Sequence, residues 1–115
     1  MSQFVSVCHG GARYLLPAEQ VVAARLDAAD LAALSLGFGI DAGAPEGEGE
    51  RDLVVHTGEG ERHWRCHDIR LVEVDDAQVW ELPQLTRDLL GAPRVTAVAQ
   101  LGADLMWVLD LRRVA

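Results

Sequence analysis

The chain contains no lysine, and its ten basic side chains, all arginine, face eighteen Asp and Glu. The resulting formal net charge of -8 repels phosphate backbones and anionic lipid headgroups, which are held by clusters of Lys or Arg. Nucleic acid and membrane surfaces are therefore poor partners. Aromatic residues are also scarce, with three Trp, two Phe and one Tyr, which suits packed strands better than a platform for stacking bases. The densest apolar run, Leu105 to Leu109, falls far short of the roughly 20 residues a membrane-spanning helix needs. Met1 to Val7 show no basic segment followed by an apolar one, which predicts a cytoplasmic protein. In that compartment the two cysteines, Cys8 and Cys66, are expected as reduced thiols and not as a staple. No internal repeat is present.

What the sequence does have is apolar volume. Half of its 115 residues are hydrophobic, enough for a chain of this length to bury about two-thirds of its unfolded surface. Phe4, Val5 and Val7 open a strand, Gly10 and Gly11 fit a hairpin turn, and Tyr14 to Leu16 resume the strand up to Pro17, which confines it to an edge or a strand end. Val21 and Val22 follow. Asp27 or Asp30 can cap a short helix carrying Leu31 and Leu34 and ending at Gly37. Residues 41–51 alternate Gly with Glu and read as an acidic loop that buries nothing. Order resumes at Asp52 to His56, turns at Thr57 to Glu61, and continues in two strand-like stretches between Arg62 and Val74 that end at Asp75 and Asp76. Gln84 to Leu90 reads as a second short helix closed by Gly91. Val98 to Leu101 then pairs with Leu105 to Leu109 as a hairpin whose second strand is apolar on both faces and so covered on both. Many short strands with one or two helical turns predict a mainly β fold closed into a barrel.

Catalytic and metal chemistry finds little support. On a strand, Cys66 and His67 point to opposite faces, and His63 and His67 stand about 13 Å apart, too far for one ion with bonds near ~2 Å. A site assembled from Cys8 and Cys66 across strands stays open as a lesser alternative. Asp41, Glu46, Glu48 and Glu50 lack the spacing of a calcium loop. Asp75 and Asp76 read as a turn. No serine occupies a Gly-x-Ser-x-Gly elbow, and Gly10 and Gly11 lack the Lys partner of a phosphate loop. No enzyme, cofactor or metal is expected. Among the tryptophans, Trp107 is expected in the core, whereas Trp64, between charged neighbours, and Trp80, beside Pro83, are expected to be partly exposed and able to anchor an interface.

The order of these segments resembles the CheW family of chemotaxis coupling proteins. Phe4 to Val7, Gly10 and Gly11, then Tyr14 to Pro17 with Val21 and Val22 are similar to the family's opening. Val79 to Pro83, Arg94 to Leu101 and Val108 to Leu111 are similar to its end, and Asp52 to His56 with Arg62 to Val74 resemble the paired strands between. A strand pair with a motif close to Gly-Val-x-Asn-Leu-Arg-Gly is missing, since Val22 reaches Asp30 and Leu31 almost directly. The resemblance is thus to short, FrzB-type members of the family.

The resemblance implies SH3-like β-barrels, with a reduced first subdomain over residues 1–40, the acidic loop at 41–51 and a largely complete second subdomain over 52–115. It also implies a non-catalytic adaptor or modulator that binds a methyl-accepting receptor's cytoplasmic tip, a CheA-type histidine kinase or another CheW-like chain, with a homo-oligomer as a further option. Val21, Val22, Trp64, Trp80, Val95 and Val98 are the candidate partner-binding residues. A generic SH3-like scaffold unrelated to chemosensing is the alternative.

Overall fold

The computed structural model describes residues 1–28, 30–35, 49–92 and 94–112. Eight strands account for most of the described chain: β1 (Ser2–His9), β2 (Ala12–Pro17), β3 (Val21–Arg25), β4 (Arg51–Thr57), β5 (Gly60–Val74), β6 (Val79–Glu81), β7 (Val95–Leu101) and β8 (Asp104–Leu109). One α-helix, α1 (Gln84–Leu90), lies between β6 and β7, and single 3₁₀ turns occupy Ala18–Gln20 and Asp76–Gln78. The fold is mainly β, as the strand pattern predicts. The strands bond in the order β3-β4-β5-β1-β2-β8-β7-β6, an open sheet with no closed barrel among the described residues. Residues from 1–40 and from 52–115 share this sheet, because β1 and β2 lie between β5 and β8.

Local chemistry accounts for several of the connections. Gly10 and Gly11, with φ of 58° and 79°, take the left-handed conformations that a two-residue hairpin turn requires, and they join His9 to Ala12 in register. Pro17 ends β2, where its missing N–H breaks no ladder bond. Asp75 accepts a hydrogen bond from the Ala77 N–H at 3.0 Å, so this acidic pair forms the expected turn. Pro83 starts α1 and Gly91 ends it in the left-handed conformation.

Residues 62–74, expected as two strands, form one continuous element with two sets of neighbours. Residues 60–66 of β5 pair with β4, and residues 67–74 pair with β1. The changeover falls at Asp68, whose φ is 50°, opposite a register shift between Ser6 and Cys8. A bulge of this kind bends a strand and increases its twist.

The helix expected from Asp27 is absent over the described residues 30–35. Leu31 donates its N–H to the Ala28 carbonyl at 2.9 Å, and the chain then runs beside β5. His63 donates to the Ala32 carbonyl at 3.0 Å and accepts from Leu34 N–H at 2.9 Å, a parallel bridge centred on Ala33. A helix this short gains little from propensity, whereas the extended path buries both Ala28 and Leu34. The candidate caps are drawn to arginines instead: Asp30 lies 3.4 Å from Arg25 and Asp27 3.9 Å from Arg65. Leu36, Gly37 and residues 41–48, with Asp41, Glu46 and Glu48, lie outside the described residues.

Apolar side chains separate onto the two faces of the sheet. One cluster gathers Val7, Tyr14, Leu16, Leu53, Val55, Trp64, Val95 and Leu109. The other gathers Phe4, Leu15, Val74, Ala97, Ala99, Met106 and Val108. β8 feeds both, as its apolar run predicts, and only its first leucine, Leu105, is left at the surface.

Candidate functional site

The candidate residues fall into three places. Trp80 and Val98 are direct cross-strand partners at the β6 end of the sheet. Val21 and Val22 lie on β3, the opposite end; Val21 packs on the first core cluster and Val22 is 54% exposed. Trp64 and Val95 are buried.

Trp64 corrects the expectation of partial exposure. It is 0% exposed, with its ring edge-on to Tyr14 at a centroid distance of 5.2 Å and tilted against His9 at 5.7 Å. Charged neighbours on a strand occupy the opposite face, so His63 and Arg65 direct Trp64 inward. Val95 is withdrawn for a related reason: a register shift between Val95 and Ala97 pairs it with Leu109, and both enter the first cluster. Trp107, expected in the core, is half-buried at that cluster's margin.

Register links Trp80 and Val98 with Trp107, Tyr14 and Val7 into one row. Val7 pairs with Tyr14, Tyr14 with Trp107, Trp107 with Val98 and Val98 with Trp80. Residues paired across strands share a face, so this row runs from the buried centre of the sheet to its β6 margin. Exposure increases along it, from 0% at Val7 and 4% at Tyr14 to 47% at Trp80. The core therefore continues outward into an apolar surface backed by packed side chains, a setting in which an exposed aromatic can act as an interface anchor.

Sequence reasoning missed two exposed leucines. Leu85 and Leu89 on α1 are largely exposed, while Leu82 and Leu90 pack against the first cluster. The signal was available, since residues 85 and 89 are one helical turn apart and share a face that Leu90 does not.

Several charges elsewhere in the fold are paired. Asp52 is fully buried and accepts from Arg65 Nε at 3.1 Å, Arg65 Nη2 at 3.0 Å and Ala28 N–H at 2.7 Å. Burial alone raises its pKa, but the Arg65 and Ala28 hydrogen bonds outweigh burial and hold the carboxyl below the ordinary Asp value. Asp68 is likewise held low, first by Arg13 and then by Arg70. Arg94 is 1% exposed and donates to the Leu111 carbonyl at 2.8 Å and to Glu59 at 2.7 Å; burial lowers its pKa, and Glu59 offsets part of the fall.

Among the described residues no group of three or more His, Cys, Asp or Glu is placed to hold a metal. His9 and His63 each use Nδ1 toward a backbone carbonyl, Arg65 O and Leu31 O, both at 2.7 Å. A carbonyl only accepts, so those nitrogens carry protons and are not ligands. Cys8 is half-buried, Cys66 is buried, and neither is in a disulfide. An open cleft of 730 Å³ between β1 and the end of β2 is lined by Ser2, Gln3, Phe4, Pro17, Ala18 and Glu19, and the Ser2 hydroxyl donates to Asp76 at 2.7 Å. No described helix is long and apolar enough to cross a membrane.

No family model matches the chain, and no curated protein matches it significantly. Among solved structures it is similar to the scaffolding protein TtCheW from Thermoanaerobacter tengcongensis, with a TM-score of 0.69 over 96% of this chain and 90% of that one. The fold is CheW-like. At 12% identity the likeness lies in the path of the backbone. The likeness takes in nearly the whole chain.

Proposed function

We propose that this CheW-like chain is a non-catalytic adaptor or modulator of a bacterial chemosensory complex, a shortened coupling protein of the FrzB type acting in the cytoplasm. It binds a methyl-accepting receptor's cytoplasmic tip, a CheA-type histidine kinase or another CheW-like chain. The observation that carries this reading is the near-complete overlap in fold with a protein described as a scaffold. Two surface features support it. Apolar side chains reach the surface at both ends of the sheet, at Val22 on β3 and at Trp80 on β6, and β3 is an edge strand whose outer backbone groups suit strand pairing. Val21, Val22, Trp80 and Val98 are the contact residues; Trp64 and Val95 support them from within.

The test is a pair of separate titrations, against a receptor cytoplasmic fragment and against the regulatory domain of a CheA-type kinase. Saturable binding to either one, weakened by Trp80→Ala or Val22→Lys, supports the adaptor. If neither fragment binds at concentrations where a full-length CheW binds both, the chemosensory role fails and a scaffold of another kind remains.

A further inference from the structure

Ser6 on β1 and Arg70 on β5 are direct cross-strand partners and so share a face of the sheet. Val72 follows two residues after Arg70 on that same face, where it packs against the second apolar cluster. On β8, Asp104 and Met106 share a face in the same way, and Met106 belongs to that cluster too. These side chains line one cavity of 260 Å³, together with Arg13 of β2 and with Leu101 and Gly102 at the β7–β8 turn. Val72, Leu101 and Met106 make its apolar part.

The charges around this cavity are not all used. Arg13 donates to Asp68 and to Ser6 Oγ, the latter at 2.8 Å. Arg70 donates to Asp68 through Nε at 2.7 Å, and its two terminal nitrogens make no hydrogen bond among the described residues. Asp104 makes no hydrogen bond or ion pair there either. Its carboxylate is nevertheless close to the arginines: the Arg13 pKa is raised first by the bond to Asp68, and Asp104 adds to the rise. One small volume therefore presents an open guanidinium edge, an unpaired carboxylate and an apolar surface. Pockets for drug-sized ligands begin near ~300 Å³, so this one suits a smaller molecule.

We propose that the cavity binds a free α-amino acid with an aliphatic side chain. Its carboxylate meets the Arg70 guanidinium, its ammonium meets Asp104, and its side chain covers Val72, Leu101 and Met106. A simple anion would be opposed by Asp104 and a simple cation by Arg70. A net-neutral ligand carrying both charges answers both groups. Met106 and Trp107 point to opposite faces of β8, so the cavity lies across the sheet from the Trp80 row. The inference goes beyond the adaptor reading and does not depend on it.

Amide chemical-shift mapping on the intact protein, with L-leucine as the probe, tests the site. Leucine should shift the signals of Ser6, Arg70, Gly102 and Asp104 saturably and leave those of Val22 and Trp80 in place. Leucinamide lacks the carboxylate, isocaproate the ammonium and glycine the side chain; each should bind about tenfold more weakly. Arg70→Gln and Asp104→Asn should each weaken leucine by about the same factor. Arg70 also braces Asp68, whereas Asp104 has no described partner, so Asp104→Asn reads the ligand contact alone. The control Glu61→Gln, on an exposed β5 position, should change nothing. Absence of saturable shifts, shifts centred away from the cavity, equal binding of leucine and isocaproate, or full affinity in Asp104→Asn would overturn the proposal.

Discussion

Arg13 on β2 donates to the carboxylate of Asp68, the one described non-glycine residue with a positive φ, at the point where β5 leaves β4 and joins β1. Asp68 also accepts from Arg70 Nε at 2.7 Å, and Arg13 donates to Ser6 Oγ at 2.8 Å. The bend therefore has a backbone requirement and a side-chain clasp, which substitution can separate. Asp68→Gly and Asp68→Ala both remove the clasp, but only alanine bears the left-handed penalty of about 1 kcal/mol. Asp68→Ala should unfold at lower urea than Asp68→Gly by a corresponding margin. Equal midpoints would mean that the bend relaxes when the carboxylate is lost.

The buried and clasped carboxylates predict the direction of pH dependence. Asp52, Asp68 and Asp110 all have folded pKa values below the ordinary Asp range. A carboxylate whose pKa is depressed by folding contributes stability that is present above the unfolded value near ~4 and is lost as pH falls through the lower folded value. Urea midpoints should therefore hold steady toward pH 5 and fall steeply below about pH 4. Asp52→Asn should destabilise the protein at neutral pH, because the buried side chain loses its charge-assisted bonds from Arg65, and should shallow the acid slope. An unchanged slope in that variant would assign the acid sensitivity to other groups.

Trp64 and Trp80 differ in what their removal should do. Trp64 fills the centre of the first cluster, so Trp64→Ala should cost about 3–5 kcal/mol. Trp80→Ala removes a half-exposed ring and should change stability by about 0.5 kcal/mol or less, with its effect appearing in partner binding. Acrylamide quenching offers an independent reading. Emission from a variant retaining only Trp80 should be strongly quenched, and emission from one retaining only Trp64 should be protected.

Hairpins and strand ends were legible because their chemistry is local. Gly10 with Gly11, Pro17, the Asp75 turn and Gly91 each specify a backbone conformation with little outside help. The path of residues 30–34 was not, since Asp27 and Asp30 meet a local requirement for helix caps while Asp52 and His63, distant in sequence, hold Ala28 and the stretch beside β5. Trp64 failed differently. The alternation around it already implied burial, but charged neighbours were read as a sign of exposure when on a strand they mark the opposite face. The row from Val7 to Trp80 had no sequence signal, because it depends on the parallel pairing of β2 with β8, which joins residues at the two ends of the chain.

Arg94 and Glu59 give an asymmetric test of a buried charge. The Arg94 guanidinium is buried, while the Glu59 side chain is 42% exposed, so the two partners do not lose equally when separated. Arg94→Met leaves Glu59 free to take up water, keeps much of the apolar stem's packing, and leaves the Leu111 carbonyl its bond from Gly58 N–H at 3.2 Å. Glu59→Ala instead strands a cation in the interior, where removal of one partner typically costs about 3 kcal/mol or more. Glu59→Ala should therefore be the more destabilising change, even though it alters the more exposed residue. A variant carrying both changes should be close to Arg94→Met alone, because without the guanidinium there is no buried charge left to satisfy. Chemical denaturation of the three variants measures the order directly. Finding Arg94→Met the worse of the two single changes would show that its bond to the Leu111 carbonyl, and not the ion pair, is what holds the end of the chain against the β4–β5 turn.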